Sequence, residues 1–378
     1  MPNCQSWARS GSFSAVRVTL RLTLLSTLLL TLFLAVSPAA TQAQETLDIY
    51  FIDVEGGEAT LFVAPSGESM LVDTGWPGFD GRDANRIAAV AEQAGVTQID
   101  YLVVTHFHTD HMGGAEQLAN RLPVVHFVDH GITIDQGERA RAAFEVYSNL
   151  RSTGTHRVVR PGDPVPVTGL DVRIIASDGS VLTSPLAGAG DANPFCEGFT
   201  FHGADITSRF GDAEDQRSVS AFIGFGRFRT LIMGDLTWNK EHALMCPDNK
   251  IGTADLYLVS HHGSDTSGSE ALVHALQPRV AVMNNGPRKG GAVQTFQILQ
   301  AAPSLEQLWQ NHYAVEAGEL NSPDRFIANL NDGSEEVTAG EPPVHVGVSH
   351  WIKLSALSDG SFTVTNSRNG LSHDYPAR

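Results

Sequence analysis

The chain has 378 residues and carries 25 Lys plus Arg against 42 Asp plus Glu, a formal net charge of −17. That length holds one large domain with insertions, or a domain with a small appendage. The acidity repels polyanions and counts against nucleic acid as a habitual partner.

Residues 1–43 contain Arg9, Arg17 and Arg21 and no acid, and residues 22–36 form a leucine-rich run of fifteen. The run is shorter than the roughly 20 residues a membrane span needs, and Thr41-Gln42-Ala43 offers small residues for a signal peptidase. The segment reads as a signal peptide, with an uncleaved anchor as the alternative. The expectation is an exported protein, periplasmic or extracellular, with no span after cleavage. Removing three basic residues leaves 22 against 42 acids, so the mature chain is more acidic still. Cys196 and Cys246 are then the remaining cysteines, and in an exported chain a pair suggests one disulfide; a metal thiolate at Cys196 is the other reading.

From residue 47 two hairpin-linked strands are predicted, 47–54 and 59–63, turning at Gly56-Gly57, and a third over 70–72 ends on Asp73-Thr74-Gly75. Asp73 either caps that turn or backs a ligand imidazole. Ile87, Val90, Ala91 and Ala94 recur at helical spacing, so 83–94 is a helix closed by Gly95. It leads to a strand over 99–105, a short helix, a strand over 124–128 and a helix over 138–150. Residues 152–215 mix Pro, Gly and Asp with few β runs and read as a loop-rich insertion near the mouth of a site. A hairpin over 218–233 closes on Gly234-Asp235, and a strand over 256–260 ends on His261-His262-Gly263-Ser264. Strand 279–283 precedes a loop with Arg288 and Lys289, and 346–366 alternates like a hairpin laid on a sheet edge. The resulting division is a domain over 44–340 and a C-terminal hairpin extension over 341–378, packed on the same domain.

The densest chemistry is Thr105-His106-Phe107-His108-Thr109-Asp110-His111-Met112-Gly113-Gly114. His106 and His108, two apart on an extended segment, point the same way, while Asp110 and His111 follow as the chain turns into a helix. One turn thus aims two imidazoles at one metal and a carboxylate–imidazole pair at a second. Nitrogen and oxygen ligands without thiolate suit zinc, and also manganese or iron. Asp235 read alone is a helix N-cap, and His261-His262 read alone is a polar turn.

His106-x-His108-x-Asp110-His111 resembles the signature of the metallo-β-lactamase superfamily. Asp53-Val54-Glu55-Gly56-Gly57-Glu58-Ala59, Asp73-Thr74-Gly75, Met233-Gly234-Asp235 and Ser260-His261-His262-Gly263-Ser264 resemble the branch holding the hydrolase domain of the ComEC competence protein, and phosphorylcholine esterases. The resemblance implies an α/β fold, an αββα sandwich of two mixed sheets flanked by helices. It implies two divalent ions, one held by His106, His108 and Asp235 and the other by Asp110, His111, Asp235 and His262. Asp110 and His261 would serve in catalysis, His261 as proton donor or substrate contact. Asp73 would stand behind a ligand, and Arg288 and Lys289 would hold an anionic group if they are more than solvated loop charges. A further His ligand is often absent from this branch, leaving His202, Cys196 and Asp215 as weak candidates and the first metal under-coordinated. The implied activity is metal-dependent hydrolysis by a metal-bound hydroxide, on a phosphoester of a small or cell-envelope substrate. The alternatives are lactone or β-lactam hydrolysis, a ComEC-like nuclease, or a metal-binding module without turnover.

Overall fold

The computed structural model describes residues 46–197, 199, 214–330 and 347–378. The leader reading over 1–43 and the candidate His202 lie outside them. Among the described residues no helix is long and apolar enough to cross a membrane.

Eighteen strands are described: β1 Leu47–Phe51, β2 Thr60–Val63, β3 Ser69–Val72, β4 Ile99–Val103, β5 Val124–Asp129, β6 Thr155–Val158, β7 Pro164–Val165, β8 Asp171–Ser177, β9 Ser180–Val181, β10 Ser220–Phe225, β11 Phe228–Ile232, β12 Leu256–Leu258, β13 Val280–Met283, β14 Gln307–His312, β15 Ile327–Asn329, β16 Ile352–Ala356, β17 Phe362–Asn366 and β18 Ser372–Tyr375. One sheet has the order β18-β17-β16-β1-β2-β3-β4-β5-β6 and the other β15-β14-β13-β12-β11-β10-β8-β7, with β9 beside β8. Both are mixed. From β3 to β6 and from β11 to β15 the pairing is parallel, and elsewhere it is antiparallel.

Strand alternation builds four layers. In β1, Leu47, Ile49 and Phe51 enter the core shared by the two sheets, where they join Ile174, Ile223, Val282 and Trp309. Tyr50 and Ile52 face the opposite way, toward Ile87, Val90 and Ala91 of the helix Arg82–Gln93. In β13, Val280 and Val282 enter the shared core, while Ala281 and Met283 pack on the layer formed by the helices Trp238–Met245, Glu270–Leu276 and Val293–Ala301. Strands covered on both faces read as continuous apolar runs, which is why β13 is Val-Ala-Val-Met. Burying one such Val or Leu side chain stabilises the fold by about 1.5–3 kcal/mol.

Two differences from the sequence reading stand out. Residues 155–181, expected as part of an insertion, supply β6 through β9, which extend the far edges of both sheets. The C-terminal alternation holds three strands, and β16 pairs with β1 from Leu47↔Ala356 to Phe51↔Ile352.

The carboxyl ends of β3, β4, β11, β12 and β13 converge on one edge of the sandwich, the place where open α/β sheets put their sites. Backbone strain collects there as well. Asp73, His261 and His262 take φ of 59°, 53° and 53°, a region that costs a non-glycine residue of order 1–3 kcal/mol and is concentrated at functional sites. Gly234 (φ 57°) must be glycine, because a Cβ would lie 2.9 Å from the Thr105 Cβ.

Candidate metal centre

After β4 the chain runs through Thr105 and His106 into the short helix Thr109–Met112, whose first turn is closed by His111 N and Met112 N donating to the His108 carbonyl. His111 and His106 are fully buried, Asp110 nearly so, and His108 is part-exposed. Thr105 and His111 share the Asp73 carboxylate: Thr105 N donates to Oδ1 at 2.8 Å, and Thr105 Oγ1 and His111 Nδ1 lie 2.7 Å from Oδ2. The sequence left Asp73 as a turn cap or a partner of a ligand ring, and its position is the second. With Nδ1 so engaged, His111 presents Nε2 to the centre.

Asp110, His111, Asp235 and His262 form one buried group. His111 Nε2 lies 3.1 Å from His262 Nε2, 3.3 Å from Asp235 Oδ2 and 3.5 Å from Asp110 Oδ2, and His262 Nε2 lies 3.3 Å from Asp110 Oδ2. Four donors around a tetrahedral ion with bonds of about 2.0–2.1 Å are roughly 3.3 Å apart, so the group fits such an ion. His106, His108 and Asp215 form a second group: His106 Nε2 to His108 Nδ1 is 2.8 Å, His106 Nε2 to Asp215 Oδ1 3.4 Å and His108 Nδ1 to Asp215 Oδ1 3.0 Å. Asp235 Oδ2 joins the two groups. It lies 3.9 Å from His106 Nε2, 3.3 Å from His111, 3.7 Å from His262 and 3.1 Å from His261.

The cap reading of Asp235 falls away, since the following helix begins at Trp238 with Thr237 in the cap position. Of the weak candidates, Asp215 is brought beside His106 and His108, while His202 lies outside the described residues. Cys196 is excluded as a ligand because it forms a disulfide with Cys246. His261 sits beside the pair with Nδ1 held by Thr266 Oγ1 at 3.0 Å and Ser267 Oγ at 3.2 Å. Lys289 Nζ pairs with Asp110 Oδ2 and stands 5.3 Å from the centre of the Trp76 ring, whereas its neighbour Arg288 is exposed and shares neither contact. Gly290 lets this loop press on His262, whose carbonyl oxygen a Cβ there would strike. The sequence reading did not include Trp76, nor Asp135, whose Oδ2 is 3.8 Å from His108 Nε2. Both lie in loops with no local pattern to mark them.

The electrostatics suit cations. Burial opposes ionisation of Asp110, but Lys289 and His111 outweigh it and hold its pKa well below the usual carboxylate range. Burial likewise works against Asp235, and His111, His261 and His262 overcome it. Burial pushes His106 and His262 down, leaving neutral imidazoles able to donate lone pairs. His111 goes the other way: burial lowers it, but Asp235, Asp110 and Asp73 raise it well above the ordinary value. Three carboxylates around one imidazole, Asp73 at Nδ1 and Asp110 and Asp235 at Nε2, mark a place that demands positive charge.

A further acidic group, Asp53, Glu55 and His312, lies at the ends of β1 and β14. Arg86 Nη1 stands 3.0 Å from both Asp53 Oδ2 and Glu55 Oε1, so a guanidinium already supplies the countercharge and the group works as a buried ion-pair tie.

Residues 53–283 match the family model described as Metallo-beta-lactamase superfamily. Among curated proteins the chain is similar to Recombination protein 2 of Haemophilus influenzae, 24% identical over 246 residues (65% of this chain, 25% of that protein). It is also similar to ComE operon protein 3 of Bacillus subtilis, 23% identical over 256 residues (63% and 28%). The chain spans about a quarter of the length of these relatives. Among solved structures it is similar to a metallo-β-lactamase of Cronobacter sakazakii, 13% identical with a TM-score of 0.34, covering 58% of this chain and 79% of that one. CmlA, a diiron β-hydroxylase from Streptomyces venezuelae, gives 15% and 0.36 over 63% and 45%. The match to the family model covers more than half of the chain, and with two mixed sheets between helices and paired ligand groups at their strand ends, the chain belongs to the metallo-β-lactamase superfamily.

Proposed function

We propose that this protein is a metal-dependent hydrolase with a dinuclear centre, acting on a phosphoester. The observation that carries the reading is Asp235 Oδ2, which lies within 3.9 Å of His106 of the first group and of His111 and His262 of the second, with His261 beside them. His106, His108, Asp215 and Asp235 would hold one ion, and Asp110, His111, His262 and Asp235 the other. When bound, two divalent cations supply a water whose pKa is lowered toward about 7 and a countercharge for the oxygens of a bound ester.

The chain's own residues do the rest. Asp73 fixes the His111 tautomer, so that Nε2 faces the centre. Lys289 adds a cation at the edge of the second group and favours a substrate bearing negative charge, which supports a phosphoester over a neutral lactone. Burial pushes His261 down to about 4, so at neutral pH it is a neutral imidazole, better placed to accept a proton or contact substrate than to act as a charged acid. Export to the periplasm or exterior rests on the signal-peptide reading of residues 1–43 and forms part of this proposal. A second reading is a nuclease, for which the word recombination in the name of one curated relative is the support and against which the net charge of −17 speaks.

The test is Asp235→Asn beside wild type, with metal stoichiometry and hydrolysis of phosphomonoesters, phosphodiesters, lactones, β-lactams and single-stranded DNA in Zn and Mn. Removing the shared charge should lower metal content and drop turnover by orders of magnitude while the melting temperature holds. Unchanged metal content and rate would remove Asp235 from the centre and end the dinuclear reading.

A further inference from the structure

Asp215 is preceded by a carboxylate with a different task. Glu214 is fully buried, and among the described residues its two oxygens accept four hydrogen bonds. Phe107 N donates to Oε1 at 3.1 Å and His130 Nε2 to the same oxygen at 2.9 Å, while Thr133 Oγ1 and Ile134 N donate to Oε2 at 3.1 and 3.0 Å. A carboxylate has about four acceptor positions, so these protein donors fill them.

Its donors come from two other segments that build the first ligand group. Phe107 lies between His106 and His108, and its amide is therefore the backbone point nearest both rings in sequence. Thr133 and Ile134 belong to the loop after β5, and the Thr133 hydroxyl also accepts from Asp135 N at 3.1 Å. Asp135 in turn faces His108 Nε2. The Glu214 carbonyl accepts from Arg217 N, closing the turn on which Asp215 sits. Three segments far apart in sequence, 105–108, 130–135 and 214–217, thus meet on one side chain.

We infer that Glu214 is a positioning residue for the first metal: it sets the distance between the His106–His108 segment and Asp215, and so determines whether those three residues close on one ion. The inference rests on the dinuclear reading given above. Replacing Glu214 by Gln keeps the volume but turns one oxygen into an amide nitrogen, a donor set against two donors. The His segment or the loop after β5 must then move away from the Asp215 turn, while Asp110, His111 and His262 keep their own supports.

The experiment is metal retention by wild type, Glu214→Gln and Thr133→Val. Each is loaded with Co(II) or Mn(II), dialysed against a series of chelator concentrations and analysed for equivalents bound, beside melting curves of the stripped proteins. Wild type should release two equivalents in two steps. In Glu214→Gln one of the two steps should move by about 10–100-fold, the usual cost of removing a group that orients a ligand, with the other step in place. Thr133→Val, which deletes one of the four donors and is the fallback if Glu214→Gln does not fold, should show a smaller shift of the same step. Parallel weakening of both steps in proportion to the fall in melting temperature would overturn the inference in favour of a merely structural role, and so would two unmoved steps. Fewer than two equivalents in wild type would sink the dinuclear reading and this inference with it.

Discussion

Asp73 Oδ2 lies 2.7 Å from His111 Nδ1, at the point where β3 and β4 end side by side. Asp73 holds a left-handed backbone (φ 59°) to reach that ring. Asn tolerates this conformation better than most residues, so Asp73→Asn should fold. It loses the charge that keeps the Nδ1 proton in place, and metal affinity should fall by about 10–100-fold. Competition with a chromophoric chelator measures this; an unchanged affinity would mean that the His111 ring is held by packing alone.

Lys289 pairs with Asp110 at the edge of the second group. Lys289→Met keeps the stem over Trp76 and removes the charge. If the ammonium holds an anionic substrate, kcat/KM for a phosphodiester should fall by roughly 10–100-fold, the loss expected of a hydrogen bond to a charged group. A neutral lactone should be affected much less. Equal losses on both substrates would show Lys289 to act on the metal ligand rather than on the substrate.

Glu241 accepts from Gly268 N and Ser269 N at 2.7 and 2.8 Å, and burial pushes its pKa up from 4.5 to about 7. A carboxyl raised in the folded state favours folding in its protonated form. Its contribution is therefore full below pH 4.5 and is lost as pH rises to about 7. Against Glu241→Gln, which does not titrate, wild type should lose on the order of 2–3 kcal/mol between pH 4.5 and 7. Urea unfolding of both proteins across that range gives the difference curve, and a flat one refutes the shift.

The Cys196–Cys246 disulfide closes a loop with a sequence separation of 50 residues. On the chain-entropy model such a loop is worth about 4 kcal/mol. The Cys196→Ser, Cys246→Ser double variant should unfold at correspondingly lower denaturant, with metal content retained, because neither cysteine belongs to a ligand group. Coincident unfolding curves for variant and unreduced wild type would mean that the bond adds nothing.

What could be read in advance follows from how local each signal is. His106 to His111 lie within six residues, and Asp235 and His261-His262 each end a short apolar strand with a glycine beside them, so chain-local patterns exposed them. Asp215 has no such frame: it sits on a one-turn helix, stood in the sequence as one weak candidate among three, and is singled out by its contact with His108. β14 was missed for another reason. Gln310, Asn311 and His312 are buried but polar, and their side chains bond to Asn321, Asn284 and Asp53, so the strand has no hydrophobic period to detect. β6 is wholly exposed, and β7 and β9 have two residues each, too short to produce alternation.

The pairing of β1 with β16 bears on how the protein is made. Leu47 and Ala356 lie far apart in sequence, so the edge of β1 that ends up covered by β16 stays open until synthesis has passed β16. An open edge offers unpaired N–H and C=O groups to any passing strand. Chains that stop before residue 352 leave it bare for good, and such products are expected to cluster into insoluble material even though every residue of the two ligand groups is present.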